Sequence, residues 1–157
     1  MSIIDTRTEF ADAVSVAAAA GTYNLGNQID LSVVRDVGNG QPVYLVVSVD
    51  TEVITGGAAG TIQFQFVSDD TASISTTTQT IHAISKQFIT DDAAVNSPEL
   101  NAGGVPFILA LPLEGEQYEK FVGVQYIIGT TTTTAGNVSA YLTFDPRGWK
   151  AYPDASN

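Results

Sequence analysis

Residues 61–67 read Thr-Ile-Gln-Phe-Gln-Phe-Val, and this short stretch decides the fold class. Its apolar residues Ile62, Phe64 and Phe66 alternate with Gln63 and Gln65, so that the two sets lie on opposite faces. Side chains of a β-strand alternate between two faces, whereas a helix repeats every 3.6 residues. The pattern therefore predicts a half-buried β-strand.

Other segments on both sides of this stretch also carry strand patterns. Residues 138–144 alternate in the same way, and residues 43–49 form a nearly continuous apolar run, which is typical of a central strand covered on both faces. Further predicted strands are residues 80–88, 107–113 and 121–128. Turns rich in Gly, Asn and Pro separate these runs, which favours an all-β sandwich, jelly roll or barrel.

Two regions leave the local structure open. The alternation of residues 80–88 slips near Ala83-Ile84, where a β-bulge restores it. Residues 9–20 are compatible either with short strands or with a short helix, because alanine favours helix while the apolar stripe is poor. Short strands are also predicted at residues 22–25 and 29–34.

Composition and charge exclude several classes of function. The 157 residues are 44% hydrophobic and 15% charged, contain no cysteine, and carry a net charge of −11. A surface this acidic repels phosphate, so we expect no nucleic-acid or anionic-membrane partner. A cysteine-free chain has neither disulfides nor a thiolate zinc site. No targeting segment is recognisable, and we expect a soluble protein.

The residues that carry chemistry form no catalytic pattern. The single histidine, His82, has no nucleophile motif around it and is interpreted as structural. The acidic pairs Asp69-Asp70 and Asp91-Asp92 lie at predicted strand ends, where Asp favours turns, although calcium binding there stays open. The carboxylates of residues 114–119 are interpreted as a solvated loop. The sequence predicts no enzyme activity, no cofactor and no metal.

Both termini are predicted to be arms around a central domain. Residues 1–12 form the N-terminal arm, residues 13–145 the β-sandwich domain and residues 146–157 the C-terminal arm. Arms with apolar residues often become ordered only on a partner. The candidate contacts with a partner are Arg7, Phe10, Arg147, Trp149 and Tyr152. Trp149 is also compatible with packing on its own core or with stacking on a sugar ring.

Residues 34–47, Val-Arg-Asp-Val-Gly-Asn-Gly-Gln-Pro-Val-Tyr-Leu-Val-Val, resemble capsid cement (decoration) proteins of short-tailed bacteriophages, of the Bordetella-phage type. The shared pattern is an Arg-Asp pair, a hydrophobic residue and Gly, a second Gly-x-Pro, and an aliphatic strand. Here its positions are Arg35, Asp36, Gly38, Gly40 and Pro42. The resemblance extends over most of the chain, including the Gly-rich residues 101–106 and the strand end Phe144-Asp145.

The resemblance implies a jelly-roll-like antiparallel β-sandwich on the outer surface of an icosahedral phage head. Such a virion protein is made in the cytoplasm of the bacterial host. It clamps neighbouring subunits of the major capsid protein and stabilises the expanded shell. It also pairs with copies of itself, with a dimer favoured over a trimer. The main alternative from the residues is a carbohydrate-binding β-sandwich module, which requires exposed aromatic rings.

Overall fold

The alternating segments form β-strands in the computed structural model, which describes residues 6–32, 41–56, 59–91, 96–112 and 114–146. A single 3-10 turn, Pro98–Leu100, is the helical element within these ranges. The strands are β1 (Glu9–Ser15), β2 (Gly21–Asn24), β3 (Ile29–Asp30), β4 (Tyr44–Ile54), β5 (Thr61–Asp69), β6 (Thr80–Ile84), β7 (Phe88–Ile89), β8 (Phe107–Ala110), β9 (Phe121–Gly129) and β10 (Ala135–Thr143).

Two antiparallel sheets face each other across the core. The first has the strand order β1-β10-β4-β8, and the second has the order β2-β9-β5-β6, with β3 added to β9 and β7 added to β5. Most connections cross from one sheet to the other, and β5–β6 is a connection within one sheet. This order is that of the jelly roll, in which two Greek keys build the two sheets. The predicted all-β antiparallel sandwich is therefore confirmed.

Aromatic and aliphatic side chains from the inner faces of both sheets fill the core. Phe64 and Phe66 of β5 are fully buried, as are Leu45 and Val47 of β4. Burial of a side chain of this size stabilises the fold by about 1.5–3 kcal/mol relative to exposure. The alternation that the sequence shows at residues 61–67 is thus the alternation between the core and the outer face of the second sheet.

The predicted strands are confirmed with shifts of their ends, and of the predicted residues 29–34 only Ile29–Asp30 form a strand among the described residues. The segment at residues 80–88 divides into β6 and β7, and its pairing with β5 is irregular between Ile81 and Ala83, next to the predicted bulge. Strand β8 ends at Ala110 and not at residue 113, because Pro112 cannot donate a hydrogen bond to a ladder.

The N-terminal region forms a strand and not a helix. β1 (Glu9–Ser15) pairs with β10 through two register shifts, so residues 9–15 are strand, and residues 16–20 belong neither to a strand nor to a helix. The predicted N-terminal arm of residues 1–12 is therefore too long, since Glu9, Phe10, Ala11 and Asp12 belong to the sheet. Among the described residues, no helix is long and apolar enough to cross a membrane.

Candidate interaction surfaces

Phe10, one of the five predicted contact residues, lies in the core and corrects the sequence-based expectation. Its side chain is 0% exposed, and its ring meets the edge of the Phe66 ring with centroids 6.3 Å apart. In a sequence, an isolated apolar residue near a terminus is equally compatible with a contact to a partner and with the first core residue of a strand. Because β1 brings this ring between the sheets, Phe10 is a core residue, and its side chain is not presented on the surface.

The other predicted contacts lie at or beyond the ends of the described chain. Arg7 is exposed and lies two residues before β1. Arg147, Trp149 and Tyr152 fall outside the described residues, as do Arg35, Asp36, Gly38 and Gly40 of the resemblance motif. The roles of Arg7 and of these three C-terminal residues therefore stay predictions.

His82 is part of a clamp on the loop between β8 and β9. Its Nε2 atom lies 2.7 Å from the hydroxyl of Ser68, and that hydroxyl also accepts a hydrogen bond from the backbone N–H of Glu119 at 3.2 Å. The His82 ring packs edge-on against Tyr118, with centroids 4.4 Å apart. Ser68 is 0% exposed, so a substrate cannot reach the hydroxyl of this Ser–His pair. The pair holds the loop to β5 and β6.

Burial lowers the pKa of His82 below its ordinary value, because the charged imidazolium loses hydration. The carboxylates of Glu119 and Glu116 oppose this effect by attracting the charged form. A neutral ring suits the clamp, because an unprotonated Nε2 accepts the Ser68 hydrogen while the Ser68 oxygen accepts the N–H of Glu119.

The acidic pair Asp69-Asp70 builds a turn. The carboxylate of Asp69 accepts hydrogen bonds from the backbone N–H groups of Thr71 and Ser75, at 2.9 and 2.8 Å. These bonds, with that from Ser75 the stronger, lower the pKa of Asp69. Within the described ranges, no three His, Asp or Glu side chains are grouped as metal ligands. Asp92 lies outside those ranges.

A buried amide network on the outer face of the second sheet was not predicted. Gln125 of β9 accepts hydrogen bonds from Gln65 at 2.7 Å and from Gln79 at 3.1 Å, and it donates to Asn24 at 2.7 Å and to the carbonyl of Ser75 at 2.8 Å. The half-buried pattern of residues 61–67 places Gln65 in solvent, yet it is 1% exposed. The loop of residues 70–79 covers this face.

Three isoleucines form an exposed apolar stripe along one side of the sandwich. Ile81 and Ile84 of β6 and Ile89 of β7 are 52%, 51% and 46% exposed. They pair with Val67, Gln65 and Thr61 of β5, so all three point to the outer face of the second sheet. We name Ile81, Ile84 and Ile89 the isoleucine stripe. Alternation alone missed it, because residues 80–88 are apolar on both faces.

The isoleucine stripe lies at the end of a sheet. In the described part of the chain, β6 and β7 have a strand neighbour on one side only, which is β5. A lysine often protects such an edge from association, but Lys86 forms an ion pair with Glu99. An apolar edge of this kind is typical of a contact with another protein surface.

Comparison with known proteins places the chain in a phage family. The model of the family described as Bbp16, a Bordetella phage protein family, matches residues 10–142. Among curated proteins, no sequence matches this chain. The matched range runs from β1 to β10 and includes all of the sandwich except its first and last strand residues, Glu9 and Thr143. The chain therefore belongs to the Bbp16 family of phage proteins.

Proposed function

We propose that this protein is a structural component of the phage head. It binds the outer surface of the icosahedral shell, contacts neighbouring subunits of the major capsid protein and stabilises the expanded lattice. The isoleucine stripe carries this proposal, because an acidic chain that exposes three isoleucines on one sheet edge has a surface suited to protein contact. Membership of a phage family supports the same direction.

The mechanism is mass action on the state of the shell. A protein that binds the expanded lattice and not the precursor lowers the free energy of the expanded state by its binding free energy. Many modest contacts repeated over a symmetric shell act together, because each attached subunit raises the effective concentration of the next contact. No catalytic step is required for this role.

The isoleucine stripe is proposed to mediate contact between copies of the protein. A two-fold contact uses the same surface on both partners, and an uncharged stripe meets its own copy without repulsion between like charges. A dimer through this edge would protect Ile81, Ile84 and Ile89 from water. The arm residues Arg7, Arg147, Trp149 and Tyr152 are proposed to contact adjacent shell subunits or another copy of the protein.

Co-sedimentation with heads tests the proposed function directly. Purified protein is mixed with expanded heads that lack it and, in parallel, with unexpanded precursor heads. We expect stoichiometric binding to expanded heads and none to precursors. Absence of binding to both would contradict the role, and a glycan array would then test the carbohydrate-binding alternative.

Analytical ultracentrifugation tests the self-contact separately. Ile84→Asp places a charge in the isoleucine stripe and is expected to weaken self-association by at least about tenfold. Ile108→Asp is the matched control, because Ile108 is also an exposed strand isoleucine at 48% but belongs to the opposite sheet. Equal effects of the two variants would show that the stripe has no special role.

A further inference from the structure

The isoleucine stripe lies on a strand, β6, whose outer backbone groups are open. The N–H of Ser85 donates to the carbonyl of Phe64 at 2.8 Å, and the N–H of Phe64 donates to the hydroxyl of Ser85 at 3.0 Å. Backbone groups of successive residues in an antiparallel strand point alternately to its two sides. The N–H and carbonyl groups of Ile84, the residue before Ser85, therefore point away from β5.

Ile81 has the same orientation, because β6 contains a bulge. By the same alternation along β5, Phe66 faces β6 and Val67 faces β9. Ile81 pairs with Val67 and Ala83 pairs with Phe66, and the register shifts between these two pairs. The backbone groups of Ile81 therefore also point away from β5. The two outward residues of β6 are thus three positions apart, whereas a regular strand repeats every two.

Two neighbouring strands on this side of the sandwich are less open to strand pairing. In β7, the N–H of Ile89 donates to the hydroxyl of Ser97 at 2.9 Å, and the carbonyl of Ile89 accepts the N–H of Ser97 at 3.0 Å. In the first sheet, β8 lies between Pro106 and Pro112, which lack an N–H group. The five residues of β6 include neither a proline nor a charged side chain.

The bulge makes β6 complementary to a second copy of itself. A partner strand must offer outward residues with the same spacing of three positions. A second β6 in antiparallel orientation does so, because Ile81 of each copy then lies opposite Ile84 of the other. Each such pair exchanges both of its backbone hydrogen bonds, and the isoleucine side chains become cross-strand neighbours on the outer face. A regular strand matches only one of the two outward positions.

Antiparallel pairing also keeps like charges apart. At one end of β6, the hydroxyl of Thr80 donates to the carboxylate of Glu119 at 3.1 Å. The other end is followed by Lys86, which forms an ion pair with Glu99. An antiparallel contact places Glu119 of each copy beside the neutral ion pair of the other. A parallel contact instead places the two Glu119 carboxylates side by side, where they repel each other.

We propose that β6 pairs with β6 of a second copy in antiparallel orientation, with Ile81 opposite Ile84, and joins the second sheets of both copies into one continuous sheet. This inference rests on the self-contact in the proposed function and adds a register to it. The two-fold axis passes between His82 and Ala83. Backbone hydrogen bonds of this kind fix the angle between the two copies as well as their contact.

Cysteine cross-linking tests the register, because the chain contains no cysteine of its own. Ile81→Cys and Ile84→Cys are prepared as separate single variants and mixed under mild oxidation. Paired residues have Cα atoms about 5.5 Å apart, which suits a disulfide, whereas the two copies of residue 81 lie about 10 Å apart. The mixture is expected to give at least about fivefold more cross-linked dimer than either variant alone.

A mixture of Ile84→Cys with Ile108→Cys is the matched control for the cross-link. Ile108 is an exposed strand isoleucine of the opposite sheet, and this mixture is expected to give no excess over the single variants. Circular dichroism melts establish that each cysteine variant is folded.

Hydrogen exchange of the unaltered protein gives a second measurement that needs no substitution. The amides of Ile81 and Ile84 are expected to exchange at least about tenfold more slowly in the dimer than in the dilute monomer. Ile108 is the control, because the N–H of Leu111 donates to the carbonyl of Val43 and the amide of Ile108 therefore points away from β4. Its exchange rate is expected to stay within about twofold.

The outcomes separate the register from the proposed function. Failure of the unaltered protein to bind expanded heads contradicts the proposed role in the head. A protein that stays monomeric in sedimentation contradicts the self-contact, and the pairing with it. A dimer without the selective cross-link, or with amides of Ile81 and Ile84 that exchange as fast as in the monomer, contradicts the strand pairing alone.

Discussion

At the scale of single residues, Gln125 illustrates how a polar side chain becomes structural. Its amide joins β9 to Gln65 of β5, to Asn24 of β2 and to the carbonyl of Ser75 in the covering loop. Buried amides are stable only when such partners are present. The network therefore fixes the loop of residues 70–79 in one position over the sheet.

Replacement of Gln125 by leucine is expected to lower the free energy of unfolding by about 2–4 kcal/mol, because buried Gln65 loses its amide partner. Urea denaturation measures the change. Gln63→Leu is the matched control, since Gln63 lies on the same face of β5 as Gln65 but is only half-buried. This substitution is expected to lower the free energy of unfolding by less than about 1 kcal/mol. Equal costs would show that the network adds nothing to stability.

The lowered pKa of His82 predicts a loss of stability in mild acid. The unfolded histidine has the ordinary pKa of 6.5, so below that pH the unfolded state binds a proton more readily than the folded state does. The contribution of the neutral ring is complete above this pH and is lost as the pH falls toward the lowered pKa of the folded state.

Thermal melts at about pH 7.5 and 5.5 check this expectation, because His82 is the only histidine and unperturbed carboxyl groups titrate lower. The melting temperature of the unaltered protein should fall between the two conditions. His82→Gln retains an acceptor for Ser68 and should show a smaller fall. Parallel pH dependence in both proteins would assign the effect to other groups.

Sequence patterns identify core residues well and identify covered polar residues poorly. Phe64 and Phe66 follow from alternation, which reports which face of a strand is apolar. Gln65 has the same alternation as Gln63 but is buried by a loop that is distant in sequence. The prediction of Phe10 as a contact residue was wrong for a related reason, since the local sequence does not distinguish an aromatic residue of the core from one of an interface.

At the scale of elements, the turn after β2 locks the first strand in place. Gly26 has a φ of +66°, and a Cβ atom there would overlap the carbonyl oxygen of Phe10 and lie 3.0 Å from the Cβ atom of Ala11. The same carbonyl accepts a hydrogen bond from the N–H of Asn27 at 2.6 Å. A glycine is therefore required both by backbone conformation and by space.

Gly26→Ala is expected to cost about 2–4 kcal/mol of stability, from backbone strain together with the clash against β1. Gly103→Ala isolates the strain, because Gly103 has a φ of +82° and open space around its Cβ position. It should cost about 1 kcal/mol in the same chemical denaturation experiment. A Gly26 variant no less stable than the Gly103 variant would contradict the close packing.

The strands themselves could be predicted because alternation is a local signal. β5, β9 and β10 follow directly from it, and β4 follows from its continuous apolar run. β1 could not be assigned, because its two register shifts and the positive φ of Ala13 at +46° break the period-two pattern. The isoleucine stripe was not predicted for a different reason, since apolar residues occur on both faces of β6.

At the scale of the whole molecule, the jelly-roll order follows from no local pattern. Periodicity alone left a sandwich, a jelly roll and a barrel open, and only the resemblance selected among them. The order of strands depends on pairings such as β1 with β10, which join the first and the last strand of the sandwich.

The same topology predicts slow folding. The first sheet is complete only when β10 inserts between β1 and β4, so most of the chain must be in place first. Folds dominated by such distant pairings form in about milliseconds to seconds. Stopped-flow refolding monitored by tyrosine fluorescence is expected to lie in that range. A microsecond phase that accounts for the full signal change would contradict this expectation.

The pairing of β1 with β10 also determines how the molecule responds to force. The N–H of Leu142 donates to the carbonyl of Thr8, so the start of β1 and the end of β10 lie side by side at the same end of the sandwich. Opposite tension on these two strand ends breaks the hydrogen bonds between β1 and β10 one residue pair at a time. Compression along the strands instead distributes the strain over both sheets at once. The sandwich is therefore suited to bear compression along its strands and poorly suited to bear tension between the start of β1 and the end of β10.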